Sequence, residues 1–166
     1  NLVCSLAIAG AFERPEPFAQ EVFARDPSPL AVLPACGILQ VSEPGRYLTR
    51  SDIPKWMLGR LAVVCSGYFP RVTRDPLTLA DPLCILESDE EPVRPLPPMM
   101  SICGLSDPIL DDTERLERAL RKRSDIHKVA YYPGGHAFHA LFWAQNAKTC
   151  WADQRAFLKT HVPTLH

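Results

Sequence analysis

Several features that this sequence lacks exclude classes of protein. No apolar run approaches the roughly 20 residues that a membrane-spanning helix needs, so we expect no membrane span. No basic segment followed by an apolar run and a cleavage site marks a secretory signal, which favours a cytoplasmic protein. Neither sign of charge dominates, since 18 Lys and Arg are balanced by 19 Asp and Glu. We therefore expect no nucleic-acid partner.

The six cysteines lack the spacing of a metal or redox motif, because no C-x-x-C pair occurs. His136 and His139 form an H-x-x-H pair, but helical zinc pairs prefer i, i+4 spacing with a glutamate between them. We therefore predict no metal site, no organic cofactor and no disulfide framework. Four cysteines lie in apolar runs, where a reduced thiol behaves as a small buried hydrophobe: Cys4, Cys36, Cys65 and Cys103.

Apolar runs of strand length alternate with stretches of helical spacing along the chain. We predict strands at 35–41, 99–104 and 128–132. We predict helices at 1–12, 51–68, from Asp111 or Asp112 to 124, and 142–160. The proline-rich and acidic stretch 75–98 predicts a loop over the surface. This alternation predicts an α/β fold with a parallel sheet and covering helices, in one domain spanning 1–166.

Two of the predicted helices have further implications. The helix at 1–12 is apolar on nearly every face, so we expect it to be buried and expect more chain before Asn1. The helix at 51–68 carries an apolar stripe, which fits a helix packed on the sheet and a lid over a pocket equally well. We take 46–70 as a lid insertion.

A carboxylate follows the second predicted strand and a histidine follows the third. Asp107 comes three residues after Gly104, and His136 lies in a turn with Gly134 and Gly135. Reactive groups of a parallel sheet collect beyond the carboxyl ends of its strands. We therefore expect Asp107 and His136 to meet as an acid and a base.

Both stretches resemble motifs of a known family. Residues 104–111, GLSDPILD, resemble the acid motif Gly-x-x-Asp-Pro-Leu-x-Asp of the hormone-sensitive-lipase-like esterases, which are α/β-hydrolases, and residues 135–138, GHAF, resemble their base motif. Residues 75–81, DPLTLAD, resemble the family's Ser-Pro-Leu-type stretch, and residues 1–2 resemble those just past its nucleophile elbow. The chain thus resembles the C-terminal half of such an enzyme, including its covering helices and lid.

The resemblance implies a carboxylic-ester hydrolase for short or medium acyl chains, working through a Ser-His-Asp acyl-enzyme mechanism. Asp107 would orient His136, and His136 would take the proton of the attacking serine. For the substrate pocket we take Phe138, Leu141 and Ile109, although an aromatic run that opens a helix is more often core. Two alternatives stay open: an amidase or peptidase on the same fold, and a non-catalytic hydrolase-like ligand-binding protein.

The sequence contains no G-x-S-x-G motif and no oxyanion-hole glycine segment. Ser5, Ser66 and Ser106 are poorly placed as substitutes and have structural interpretations. We therefore predict that the nucleophile lies upstream and that these 166 residues alone are inactive. The expected partners are a small-molecule ester and the N-terminal half of the fold, with a homodimer as a further alternative.

Overall fold

The computed structural model describes residues 1–26, 29–68, 78–123 and 126–162. Its helices are α1 (Leu2–Ala11), α2 (Pro17–Arg25), α3 (Gly45–Leu48), α4 (Lys55–Tyr68), α5 (Pro82–Glu87), α6 (Leu110–Arg121) and α7 (Gln145–His161). Its strands are β1 (Met100–Gly104) and β2 (Lys128–Tyr132), and a 3-10 turn spans Phe138–Ala140. Residues 69–70 of the predicted lid, 75–77 of the predicted loop and 124 of the predicted helix lie outside the described residues.

The sheet is parallel, as predicted, and its two strands run in register from Met100 beside Lys128 to Gly104 beside Tyr132. All five residues of β1 are buried. Helix α6 connects the two strands and packs against both, and α7 packs against β1. This arrangement is an α/β fold in which the loops after β1 and β2 leave the sheet at the same end.

The predicted strand at 35–41 is only partly correct. Residues 32–36, called the edge segment from here on, run parallel to β1 through single bridges, Val32 with Met99 and Ala35 with Ile102. Pro34 breaks the ladder between the two bridges, because proline has no N–H to donate to the Met100 carbonyl. The Pro34 carbonyl still accepts a hydrogen bond from the Ile102 N–H at 3.0 Å.

Beyond the edge segment, two buried carboxylates replace strand pairing. The N–H groups of Leu39 and Gln40 donate to the Asp112 carboxylate, at 2.7 and 3.3 Å. The N–H groups of the next two residues donate to Asp81 in the same way. Backbone amides need a partner when buried, and here side chains supply it. The prediction that α6 begins at Asp111 or Asp112 as its cap is wrong, because both lie in the first turn of the helix and Ile109 precedes it. Asp112 instead holds the chain at 39–40.

Part of the predicted surface loop at 75–98 is a buried helix. Helix α5 begins at Pro82, a residue whose fixed φ suits the first turn. Its Leu83, Ile85 and Leu86 side chains join the core beneath α1 and α6. The proline and acid content of the whole stretch concealed this six-residue helix. Its apolar residues are too few to show a helical period.

Helix α1 is buried on one face only, which corrects the expectation of complete burial. Ile8 and Ala7 lie in the core. On the other face Leu2 is 71% exposed, and Val3 and Leu6 are also exposed. These three residues, Leu2, Val3 and Leu6, are called the α1 apolar face.

The cysteines in apolar runs are buried, as predicted, and all six thiols are free. None of the helices in the described parts of the chain combines the length and hydropathy required to cross a membrane.

Candidate active site

Asp107 is fixed by the turn that follows β1. Its N–H donates to the Gly104 carbonyl at 3.0 Å, and its carboxylate accepts the Ile109 N–H at 3.0 Å. Asp107 is only 4% exposed. The acid is therefore held in one orientation by the backbone on both sides of it.

The loop after β2 carries His136 to the same place. The Leu105 N–H donates to the Tyr132 carbonyl and the Ser106 N–H donates to the Gly134 carbonyl, both at 2.9 Å. These bonds extend the parallel ladder past the end of the sheet and join the two loops. His136 Nδ1 lies 3.1 Å from one carboxylate oxygen of Asp107 and 3.3 Å from the other.

The two side chains perturb each other in the sense that an acid-base pair requires. The hydrogen bond with Asp107 raises the pKa of His136, against the opposing effect of burial. Burial alone would raise the pKa of Asp107, but the hydrogen bonds from His136 and the Ile109 N–H outweigh it and hold that pKa below its usual value. An ionised Asp107 favours the imidazole tautomer with its proton on Nδ1, which leaves Nε2 free to accept a proton.

An apolar cavity of about 210 Å³ opens beside this pair. Asp107, His136 and Ile109 form one wall of the cavity. The opposite wall comes mainly from α4, through Trp56, Met57, Leu61 and Val64. Pockets for drug-sized ligands are typically about 300–1,000 Å³, so this one fits a small apolar group next to the histidine.

The other residues taken for substrate contact lie elsewhere. Phe138 is buried and packs against Tyr132, with their ring centroids 5.4 Å apart. Leu141 is about half exposed at the end of the 3-10 turn. Neither belongs to the described residues that line the cavity, whereas Ile109 does.

Two of the serines considered as substitutes for the nucleophile, Ser5 and Ser66, bind backbone carbonyls. Ser5 Oγ donates to the Leu79 carbonyl at 2.7 Å, and Ser66 Oγ donates to the Val63 carbonyl at 2.9 Å. Ser5 thus links α1 to a distant part of the chain, whereas Ser66 binds within α4.

Cys36 is a member of the site that sequence reasoning did not identify. Its Sγ atom, a carboxylate oxygen of Asp107 and a ring nitrogen of His136 all lie within 4.8 Å of one another. Its place in a predicted strand could have indicated this position, because the carboxyl ends of parallel strands meet at one edge of a sheet. Its apolar neighbours instead indicated a packing role.

Cys36 and Ala137 both have left-handed backbone conformations, with φ of 46° and 56°. Side chains other than glycine rarely adopt such angles, and strained residues of this kind cluster at functional sites. Cys36 follows directly from the edge segment's last bridge, and Ala137 directly follows His136. Both left-handed residues therefore lie beside the Asp107–His136 pair, Cys36 through its sulfur and Ala137 as the next residue in the chain.

No protein-family model and no curated protein matches this sequence. Solved structures do match its fold. An esterase/lipase from an uncultured bacterium superposes with a TM-score of 0.58 at 17% identity, over 89% of this chain and 46% of that chain. The structure of EstE5 soaked with p-nitrophenyl butyrate gives a TM-score of 0.58 at 18% identity, with the same coverage.

Esterase B from Lactobacillus rhamnosis gives a TM-score of 0.57 at 17% identity, over 93% of this chain and 48% of that chain. This chain therefore has the α/β-hydrolase fold and spans about half the length of the solved structures it matches.

Proposed function

We propose that this chain supplies the acid and the base of a serine carboxylic-ester hydrolase, whose nucleophile lies on a segment preceding Asn1. The observation that carries this proposal is the Asp107–His136 pair, hydrogen-bonded at 3.1 Å and opening onto an apolar cavity. The structures of similar fold are described as esterases or lipases, which supports an ester as the substrate class. Within that class we assign the chain to the hormone-sensitive-lipase-like esterases.

The geometry gives each residue a role in acyl transfer. Asp107, nearly inaccessible to solvent, accepts the Nδ1–H of His136 and stabilises the imidazolium that forms during the reaction. His136 is 48% exposed on its side chain, so its Nε2 atom can reach an attacking serine hydroxyl. His136 takes the serine proton, gives it to the departing alcohol, and then activates the water that releases the acyl group.

Two features support an additional segment beside this chain. In the edge segment, the N–H and C=O groups of Leu33 and Ala35 have no backbone partner among the described residues. An unpaired strand edge accepts another strand, and a parallel one would end near Asp107 and His136. The α1 apolar face offers a surface for the same segment to bury.

The start of α1 lies next to the cavity. The Asn1 side chain donates to the carbonyl oxygens of Ile38 and Ala80, at 3.0 and 2.9 Å. Ile38 itself lines the cavity. A serine a few residues before Asn1 would therefore be near His136, which supports a nucleophile carried on the strand-to-helix turn leading into α1.

The cavity supports short to medium acyl chains and a lid role for the helix that covers it. Its volume of about 210 Å³ accommodates a few methylene groups. Helix α4 forms a wall of the cavity, while its Val63, which does not line the cavity, is exposed. A helix so placed can separate the ester from water during the reaction.

The test is turnover by the complete protein on p-nitrophenyl esters of increasing acyl length. We expect the highest kcat/KM for short and medium chains, loss of activity in His136→Ala, and covalent labelling of one serine by a phosphonate. We expect residues 1–166 alone to show no turnover.

Higher turnover of matched amides than of esters would favour the amidase. Absence of both turnover and labelling would favour the binding protein and refute the proposal.

A further inference from the structure

Three side chains with metal-ligating atoms, one of them His136 itself, lie close together at the candidate active site. Cys36 follows the edge segment's final bridge, Asp107 lies in the turn after β1, and His136 lies in the loop after β2. One ligating atom from each lies within 4.8 Å of the other two. Cys36 and Asp107 are buried, while His136 reaches solvent. The cluster thus joins the carboxyl ends of three adjacent parallel segments.

We propose that Cys36, Asp107 and His136 form an inhibitory binding site for a borderline-soft divalent metal ion such as Zn²⁺. The site supplies a thiolate, an imidazole and a carboxylate, which are the three ligand types that zinc takes in proteins. Water from the exposed side of His136 would complete a four-coordinate shell.

The distances suit this coordination with little movement. In a tetrahedral zinc site, neighbouring ligand atoms lie about 3.4–3.6 Å apart. The Asp107 oxygen and His136 Nδ1 are already 3.1 Å apart. With all three atoms within 4.8 Å, the Cys36 sulfur needs to shift by at most about 1.2–1.4 Å to enter the shell.

The surroundings hold the ligands in place. Cys36 lies opposite Cys103 in the register that the Val32–Met99 and Ala35–Ile102 bridges define, and its N–H donates to the Ile102 carbonyl at 2.9 Å. The Asp107 carboxylate accepts the Ile109 N–H at 3.0 Å. Ligands oriented by neighbouring groups bind metal more tightly.

Metal binding would block ester hydrolysis, and this inhibition rests on the proposed function, in which His136 is the base. The metal takes the Nδ1 lone pair of His136 in place of the hydrogen bond to Asp107. The neutral ring then carries its proton on Nε2, so it cannot accept one from a serine. The Cys36 thiol loses its proton to solvent on binding. The histidine is thus held in the wrong tautomer by the ion.

The test measures binding directly in the complete protein. With Co²⁺ as the probe, we expect a thiolate-to-metal charge-transfer band, and with Zn²⁺ we expect saturable binding by calorimetry. Cys36→Ser should abolish the band and raise the zinc Kd at least about 100-fold. Cys84→Ser is the matched control, because Cys84 is a free cysteine outside the cluster, and should bind like wild type.

A measurement on the unmodified protein removes dependence on how the variants fold. Zinc-edge X-ray absorption should show one sulfur at about 2.3 Å with nitrogen and oxygen ligands at about 2.0–2.2 Å. A shell of nitrogen and oxygen alone would overturn the proposal. So would a cobalt band that survives in a folded Cys36→Ser protein, or no band in wild type.

The outcomes separate this proposal from the proposed function. If the protein binds zinc through Cys36 but hydrolyses no ester, the metal site stands and the hydrolase assignment fails. If it hydrolyses esters and zinc neither binds nor inhibits, the metal site fails alone. If both hold, micromolar zinc should suppress turnover and a chelator should restore it.

Discussion

Gly104, the last residue of β1, lies directly against the backbone of Gly134 in the loop that carries His136. A Cβ atom at position 104 would lie 2.6 Å from the Gly135 carbonyl oxygen, and closer still to that of Gly134. Real Cβ atoms essentially never approach other atoms so closely. The turn that carries Asp107 can therefore approach the loop that carries His136 this closely only because residue 104 is a glycine.

Gly104→Ala should move the His136 loop away from Asp107. A displacement of about 1 Å at reacting groups can reduce turnover about 100-fold, so we expect kcat/KM for ester hydrolysis to fall by that order. Crowding a packed site also destabilises by about 1–3 kcal/mol. Steady-state kinetics and thermal unfolding measure the two effects.

Gly59→Ala is the control for that substitution. Gly59 lies within α4, and a Cβ there meets no heavy atom within 4 Å. Replacing a helical glycine by alanine stabilises by roughly 0.5–1 kcal/mol, so Tm should rise slightly. Equal losses of turnover in both variants would show that the close approach at Gly104 is unimportant.

Asp107→Asn should test the acid without changing its shape. An asparagine cannot stabilise the imidazolium and favours the wrong tautomer, an effect worth about 10⁴ in kcat in an established serine-protease triad. We expect a loss of that order here. We also expect the pKa of His136, followed by NMR, to fall, because the hydrogen bond that raises it is removed. An unchanged His136 pKa would contradict the pairing.

The pH profile should report the same pair. A protonated His136 cannot act as a base, so kcat/KM should be lost as the pH falls through its pKa. Because Asp107 raises that pKa, the midpoint should lie above the ordinary histidine value of about 6.5. In Asp107→Asn the residual activity should persist to lower pH. A midpoint that does not move between the two proteins would exclude His136 as the titrating base.

Asp111 and Asp112 are neighbours in sequence with opposite roles, so they form a matched pair for stability. The Asp112 side chain is completely buried, accepts two backbone N–H groups and pairs with Arg46, at 2.8 Å for one of its contacts. Removing one partner of a buried ion pair costs about 3–5 kcal/mol, and we expect that loss in Asp112→Asn.

Asp111 is exposed and pairs with Arg50 at 2.8 Å. Exposed pairs contribute about 0–1 kcal/mol, so Asp111→Asn should unfold almost like wild type. Denaturant titrations followed by circular dichroism compare the two variants. A small effect at Asp112 would mean that segment 39–40 does not depend on this carboxylate.

The strands and helices that surround the site were predictable because each has a clear local pattern. The apolar runs at 99–104 and 128–132 correspond to β1 and β2. The meeting of Asp107 with His136 followed from the rule that parallel strands present their carboxyl ends together. The sequence-derived motifs were thus sufficient to predict the central pair.

The remaining differences arise from contacts between distant parts of the chain. The predicted strand at 35–41 forms only in part. Pro34 interrupts the pairing just before it, and the carboxylates of Asp81 and Asp112 accept its later backbone N–H groups. Neither acid is close to this segment in sequence. Cys36 was missed for a related reason, since its role depends on a left-handed turn that places a thiol beside Asp107.

The position of β1 between the edge segment and β2 has a consequence for fluctuations. Its five residues are buried. It pairs with β2 on one side, and the N–H groups of Met100 and Ile102 donate to the edge segment on the other. The amides of Met100 and Ile102 should therefore exchange with deuterium only when the whole domain opens. Most residues of β2 are partly accessible, and their amides should exchange through smaller, local openings. Asp107 thus follows the strand that opens most slowly, whereas His136 follows a strand that opens more readily. When the pair separates, we expect the loop that carries His136 to move first.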